Sequence, residues 1–270
     1  MSEHTPSLTL PTLPALLADQ LAYHTRVLLR TPRAVIGGML LPILLLLLRN
    51  GTAHATHLEQ VKLLAGLIAF GALSTAYITH TASLVAARQD GVLKRWRATP
   101  LPAWCYFAGR IAAVALLAAI GGTLTALAGS AHDHLHLSLG TIADLSLILT
   151  LGAATWASIG TAASALIPTT EAAWPLLGVI YLPLMILSGG FGNVGGQPGW
   201  PATIIDYLPV RPIIDSTSRA LQAGGSIPAT SPHDLAVLAA WAVAGMVLSL
   251  RYFRWAPRTA GRRRHYRRAS

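Results

Sequence analysis

The feature that most constrains this chain is a series of long apolar runs without charged residues. A helix rises 1.5 Å per residue, so about 20 apolar residues cross the hydrocarbon core of a bilayer. The runs predict six transmembrane helices, over residues 34–49, 63–86, 104–128, 143–167, 172–189 and 234–253. The sequence therefore predicts an all-α membrane protein with a single transmembrane domain over residues 34–254.

The composition agrees with this class of protein. Of the 270 residues, 53% are hydrophobic and only 11% are charged, whereas about 25% are charged in an ordinary soluble domain. The same figures exclude a disordered chain, because disordered segments are poor in apolar residues and rich in charge. A single cysteine, Cys105, excludes an intramolecular disulfide and a thiolate metal cluster.

The basic residues are distributed unevenly along the chain, which holds 20 Lys and Arg against 10 Asp and Glu. Basic residues next to spans favour the cytoplasmic side of a membrane. Fifteen of the 20 flank predicted spans in three groups, which are Arg26, Arg30 and Arg33; Arg88, Lys94, Arg95 and Arg97; and Arg251, Arg254, Arg258, Arg262, Arg263, Arg264, Arg267 and Arg268. With six spans all three groups lie on one side, so we expect a multi-pass protein of the cell membrane with both termini in the cytoplasm.

Both ends of the chain predict contacts with the membrane surface. In the N-terminal segment 1–33, Leu13, Leu17, Leu21 and Leu28 share one helical face, and the polar residues fall on another. This pattern favours an amphipathic helix in the cytoplasmic interface, the alternative being a cytosolic helix packed on the bundle. The basic tail 255–270 is interpreted as a tether to anionic lipid in preference to a nucleic-acid-binding segment.

Few ionisable residues lie in or beside the predicted spans away from the basic groups; they are Arg110, His80, Asp144 and Glu171, and the last two lie near span ends. Arg110 falls in the first turns of the third span, where we expect its side chain to snorkel to the nearer interface. His80 falls in the second span, and we interpret it as a packed histidine facing the bundle in preference to a proton relay.

The connection between spans two and three has the pattern of a short helix. Asp90 is suited to cap its start, Val92, Leu93 and Trp96 form an apolar face, and Pro100 ends it. Such a helix either lies on anionic headgroups or docks into a groove on another protein.

Two stretches resemble the ABC-2 type transporter permeases, the membrane subunits of ATP-driven exporters. The first stretch reads Gly91-x-Leu93-Lys94-Arg95-x-Arg97-Ala98-Thr99-Pro100-Leu101-Pro102. The second comprises Ser188-Gly189-Gly190-Phe191, Pro198-Gly199-Trp200, Tyr207-Leu208-Pro209, Asp215 and Arg219. This sequence departs from the family pattern at Gln89, where many members have an acidic residue, and at Gly192-Asn193, where many have a proline.

The resemblance implies a fold and a set of site residues. Re-entrant extracellular helices would lie between spans five and six, and a coupling helix around residues 90–99 would sit in a cleft of a separate ATP-binding subunit. The implied coupling residues are Asp90, Gly91, Leu93, Lys94, Arg95, Trp96, Arg97, Thr99 and Pro100. The implied extracellular gate residues are Ser188, Gly189, Gly190, Phe191, Pro198, Trp200, Pro209 and Arg219.

The implied assembly contains two ATP-binding subunits and a second permease copy, identical or different. The chain itself would bind no cofactor, and ATP and Mg²⁺ would belong to the partner subunit. The sequence agrees, since a P-loop needs Gly-Lys-[Ser/Thr] and the two lysines here follow Val61 and Leu93. This chain contains no Walker motif.

The resemblance implies export of a hydrophobic or amphipathic compound, such as a drug, an antibiotic or a lipid. The alternative is an ATP-independent secondary carrier or an integral membrane enzyme whose cytoplasmic helix rests on lipid. A further motif, His132-Asp133-His134-Leu135-His136, has ligands that suit zinc. We interpret it as a polar external loop in preference to a metal site.

Overall fold

Helices form the regular structure of the described chain. The computed structural model describes residues 12–48, 56–97, 103–133, 135–191, 204–224 and 229–252. We label its helices in chain order as α1 (Leu13–Leu29), α2 (Pro32–Leu48), α3 (His57–Gln89), α4 (Val92–Arg97), α5 (Ala103–Asp133), α6 (Leu139–Ser164), α7 (Thr170–Leu187), α8 (Arg211–Ala223) and α9 (Pro232–Tyr252).

Five of the described helices are long and apolar enough to cross a membrane, namely α3, α5, α6, α7 and α9. A sixth span results when α2 is counted together with α1, from which it is bent by 85°. Helix α3 is the most enclosed of the five and α9 the most peripheral. The predicted fold class, an all-α multi-pass membrane protein, is confirmed.

The connections define two ends of the bundle. At one end, α4 joins α3 to α5, and the Thr170 amide at the start of α7 donates to the Gln89 side chain at 2.9 Å. We call this the α4 end. At the other end, which holds α8, the Ser138 hydroxyl group donates to the Gly224 carbonyl group at 2.6 Å. We call this the α8 end.

Glycines bring α2, α3 and α5 into close contact. A methyl group on Gly71 would lie 2.7 Å from the Gly38 carbonyl oxygen, and one on Gly121 would lie 2.8 Å from the same atom. Both α2 and α3 contain a π-helical turn at this crossing, over Ile36–Leu40 and Ser74–Thr79. Small residues thus let three helix backbones meet, as in other membrane bundles.

An aromatic cluster fills the interior between α3, α6 and α7. The Tyr77 and Trp156 rings meet edge to face with centroids 5.0 Å apart, and Tyr181 lies 6.4 Å from each. The Tyr181 hydroxyl group donates to the Phe70 carbonyl group at 2.7 Å. Burying a tyrosine requires such a partner for its hydroxyl group.

Helix α1 packs along α5 instead of standing apart from the bundle. Its exposed face carries the polar residues Asp19, Arg26 and Arg30, as the amphipathic pattern predicts. Its packed face, however, buries Gln20 and His24 together with Leu28. Periodicity alone placed only leucines on that face, so the two buried polar residues are a finding of the structure.

Candidate functional site

The short helix α4 follows α3 after a sharp turn at Gly91. Gly91 has φ 70°, a left-handed conformation that glycine adopts without a Cβ clash. Asp90 stands at the C-cap position of α3, where its amide donates to the Ala86 carbonyl group at 2.9 Å. The expectation that Asp90 caps the start of α4 is therefore wrong, because the glycine turn separates it from that helix.

The apolar face of α4 is used within the bundle. Leu93 is fully buried and packs with Leu84 and Tyr106. The Trp96 ring lies 5.5 Å from the Tyr106 ring and 5.9 Å from the Tyr23 ring of α1. These apolar side chains therefore hold α4 against α1, α3 and α5.

The outer face of α4 is cationic. Lys94 and Arg95 are exposed. Since the apolar residues Leu93 and Trp96 already pack on the bundle, they are not free to insert into lipid. Helix α4 therefore exposes positive charge at the surface of the α4 end.

Arg88, near the end of α3, holds the end of α6. Its side chain is buried, its Nη1 donates to the Ser164 carbonyl oxygen at 2.8 Å, and its Nη2 donates to the Ile167 carbonyl oxygen. The last carbonyl groups of a helix lack intrahelical partners and carry the negative end of the helix dipole. The Arg88 guanidinium group gives the Ser164 carbonyl group a hydrogen-bond partner and places a positive charge at the negative end of the α6 dipole.

Gln89, the next residue, holds the start of α7. Its Oε1 accepts hydrogen bonds from the Thr170 amide, at 2.9 Å, and from the Thr170 hydroxyl group. We call Arg88 and Gln89 together the Arg88–Gln89 clamp, because these adjacent residues bind the chain on either side of the α6–α7 connection. Sequence analysis missed this role, since carbonyl acceptors about 80 positions away leave no local pattern.

At the α8 end, the glycine pair after α7 ends that helix. Gly189 has φ 78°, its amide donates to the Ile186 carbonyl group at 3.0 Å, and the Gly190 amide donates to the Met185 carbonyl group at 2.8 Å. These bonds form a Schellman cap. Ser188, the residue before the pair, is buried.

The residues after this cap pack directly on α3. A methyl group on Gly66 of α3 would overlap the Gly190 carbonyl group, so the two backbones are in contact. The Phe191 ring lies 5.3 Å from the Phe70 ring. The segment that leaves α7 is thereby fixed to the central helix.

Pro209 and Arg219 connect the α8 region to its neighbours. The Trp156 indole of α6 donates to the Pro209 carbonyl group at 3.3 Å. Arg219 of α8 donates to the Ala229 carbonyl group at 2.7 Å and pairs with Asp234 at the start of α9. The signature residues described at this end are therefore in contact with α3, α6 and α9.

The histidine-rich motif begins inside a helix. His132 lies in the last turn of α5, and His136 is exposed. No group of three residues able to hold a metal ion occurs among the described residues, and His134 lies outside them. Four further predicted positions also lie outside the described residues, together with the tail 255–270; they are Thr99, Pro100, Pro198 and Trp200.

Arg110 does not snorkel to the interface as expected. Only 8% of the residue is exposed, and its Nη1 donates to the Tyr106 hydroxyl group at 3.0 Å. Helix α1 covers this position, which the count of charges along the span could not reveal. His80 faces the bundle as expected, and its Nε2 lies 3.0 Å from the Thr161 hydroxyl oxygen.

Fold and site together define a multi-pass α-helical membrane protein that presents a short cationic helix at one end of its bundle. The ABC-2 type transporter family matches residues 20–221, well over half of the chain. The chain belongs to this family. It is a transmembrane permease subunit of an ABC transporter, and its family implies pairing with an ABC ATP-binding subunit. Comparison with curated proteins finds no match.

Proposed function

We propose that this permease exports a hydrophobic or amphipathic compound across the cell membrane, driven by ATP hydrolysis in a separate subunit that receives α4. One observation supports the proposal above the others. The apolar residues Leu93 and Trp96 pack inside the bundle, while Lys94 and Arg95 remain exposed. A helix whose apolar side chains pack on its own bundle and whose charged side chains are exposed is suited to dock on a protein partner.

The α4 end is cytoplasmic in this proposal, and so are both termini. The support is the positive-inside distribution, since the basic groups before α2, around α4 and after α9 fall on one side. Two ATP-binding subunits, which bind ATP and Mg²⁺, serve two permease copies. This chain itself binds no cofactor in the proposed assembly.

The Arg88–Gln89 clamp supplies a path for the motion. Any displacement of α4 pulls on the end of α3 through Asp90 and Gly91. Arg88 transfers that displacement to the Ser164 carbonyl group at the end of α6 and to the Ile167 carbonyl group after it, and Gln89 transfers it to the first amide of α7. Closure of the ATP-binding subunits would thus reach two further membrane helices without crossing the interior of the bundle.

The spans support an apolar cargo. They contain few charged residues, and ionisable groups are what usually mark the path of an ion or a strongly polar solute. Drugs, antibiotics and lipids are the classes that this composition and the family suggest.

The docking proposal is tested by charge reversal. Lys94, Arg95 and Arg97 are changed to Glu together, and the permease is purified with the ATP-binding subunit that is co-expressed with it. We expect the subunit to be lost while membrane insertion survives. The matched control reverses the same number of charges in the proposed cytoplasmic tail, at Arg262→Glu, Arg263→Glu and Arg264→Glu, and should retain the subunit.

Two results would contradict the proposal. One is a complex that persists unchanged after reversal of the α4 charges. The other is transport that continues at the wild-type rate without any ATP-binding subunit, which would favour an ATP-independent carrier.

A further inference from the structure

A polar cluster lies inside the bundle at the α4 end, where α1, α3, α5 and α6 meet. At its centre is Arg110 of α5. Its members are more than nine-tenths buried, and they are Gln20, His24, His80, Thr81, Tyr106, Arg110 and Thr161. We call this set the Arg110 cluster. None of it belongs to the proposed docking face of α4 or to the Arg88–Gln89 clamp.

The hydrogen bonds of Arg110 reach neutral oxygen atoms. Its Nη1 donates to the Tyr106 hydroxyl group at 3.0 Å. Its Nη2 donates to the Ser83 hydroxyl group and, at 3.5 Å, to the His80 carbonyl group. Arg110 thus carries a full positive charge inside the bundle, with no carboxylate paired to it among the described residues. A buried charge is strongly unfavourable unless an opposite charge compensates it.

The cluster also holds buried polar atoms that lack a partner. Among the described residues, hydrogen-bond partners are missing for Arg110 Nε, His24 Nε2, His80 Nδ1, Gln20 Oε1 and Thr81 Oγ1. Most buried polar side chains in proteins are hydrogen-bonded, so such a concentration requires an explanation. An anion next to Arg110 would accept from its Nε and supply the missing charge.

The position of the cluster in the bundle bears on the source of that anion. Arg110 lies seven residues into α5, which is about 10 Å from the start of the helix. Arg110 therefore lies in the part of α5 nearest the α4 end, with 23 residues of the helix beyond it. A small ion from bulk water has no apolar part for the surrounding apolar helices to stabilise, whereas a membrane amphiphile has one.

Helix α1 covers the cluster on one side. The His24 ring meets the Tyr106 ring edge to face at 4.9 Å, and Gln20 packs directly against Gly109, next to Arg110. The outer face of α1 exposes the apolar side chains of Tyr23 and Val27 beside the polar residues Asp19, Arg26 and Arg30. An amphiphile beside α1 would therefore have apolar surface for its chain and a cation for its headgroup.

We propose that Arg110, with His24 beside it, binds the anionic phosphate or carboxylate headgroup of a membrane amphiphile that lies beside α1. The site selects an anionic headgroup over a zwitterionic one, because a net negative charge is needed to compensate the guanidinium group. The proposal does not depend on the docking of α4 to an ATP-binding subunit.

The test measures which lipid the purified full-length protein retains. The protein is equilibrated in detergent with equal amounts of phosphatidylglycerol and phosphatidylcholine, and native mass spectrometry counts the bound copies. We expect wild type to retain phosphatidylglycerol over phosphatidylcholine by about tenfold, which corresponds to 1.4 kcal/mol. Arg110→Gln should abolish the preference, and Arg110→Lys should keep most of it.

Two further variants keep the result interpretable. Arg95→Gln removes an exposed cation at the same end and should leave the preference unchanged. Gln20→Glu places a carboxylate in the cluster, so it should lose phosphatidylglycerol while raising the melting temperature. This second variant also serves if Arg110→Gln does not fold.

The outcomes separate the possible sources of the anion. Competition by millimolar inorganic phosphate against phosphatidylglycerol would indicate a free-anion site and overturn the proposal. Equal retention of both lipids by wild type would overturn it as well, and so would an Arg95→Gln variant that loses as much preference as Arg110→Gln. Loss of preference in Arg110→Gln and Gln20→Glu, with the preference kept in Arg110→Lys and Arg95→Gln, supports it.

Discussion

Replacing Arg88 by Met tests the Arg88–Gln89 clamp. Arg88 is 3% exposed and donates to the Ser164 and Ile167 carbonyl groups. Hydrogen bonds to a charged group contribute about 1.5–3 kcal/mol each. This loss of stability is partly offset in Arg88→Met, because the variant no longer has to bury a charged guanidinium group. We therefore expect Arg88→Met to lower the free energy of unfolding by about 3 kcal/mol.

The assay is thermal unfolding of the purified protein in detergent. For a chain of this length, 1 kcal/mol corresponds to about 2–4 °C in melting temperature, so the variant should melt about 6–12 °C lower. Arg88→Lys keeps the charge but lacks the planar fork that reaches two carbonyl groups at once, so it should fall between. Arg95→Met, at an exposed position of α4, should change stability by less than about 0.5 kcal/mol. A melting temperature of Arg88→Met equal to wild type would refute the reasoning.

The same variants separate docking from transmission. Arg88→Met should still co-purify with the ATP-binding subunit, since its side chain is buried, but ATP hydrolysis should no longer be coupled to transport. Arg95→Met should show the opposite pattern, with weaker docking and normal stability. In a Cys105→Ser background, a short bifunctional thiol reagent that bridges Gln89→Cys and Thr170→Cys should arrest coupling. Weaker docking in Arg88→Met would assign the clamp to the subunit interface instead.

Two further predictions concern the α8 end and are checked by melting temperature. Gly66→Ala should destabilise the protein by about 1–3 kcal/mol, because the new methyl group overlaps the Gly190 carbonyl group. The control is Gly178→Ala, which has no atom within 4 Å of its Cβ position. This variant should be neutral or stabilising by up to about 1 kcal/mol. Equal effects of the two glycine variants would show that the backbones are not in contact. Arg219→Gln should destabilise by about 1–3 kcal/mol, since it leaves the largely buried Asp234 carboxylate without its cation. A neutral result would show that the pair is solvated.

Sequence patterns predicted those features that depend on local periodicity. Runs of apolar residues gave the helical membrane fold, and the spacing of Leu93 and Trp96 gave the apolar face of α4. The glycine pair at 189–190 predicted the end of α7, because a left-handed residue followed by a helix break is a local event. Each of these features depends on neighbours within about four residues.

Features that depend on distant neighbours were not predictable in this way. Arg88 bonds to carbonyl groups that any residue type carries, so nothing in its surroundings marks its partners. Arg110 was expected at the interface because periodicity does not show that α1 folds back over α5. Asp90 was expected to cap α4, but the left-handed turn at Gly91 makes it the end of α3.

The central claim is that the outer face of α4 meets an ATP-binding subunit, and site-directed photo-cross-linking measures this contact most directly. A benzophenone side chain is placed at Arg95, on the exposed face of α4, or at Leu139, which is 86% exposed at the α8 end. After illumination of membranes that contain both proteins, we predict a cross-linked product with the ATP-binding subunit from position 95 and none from position 139. Cross-links from position 95 to lipid alone, or to the subunit from position 139, would contradict the account.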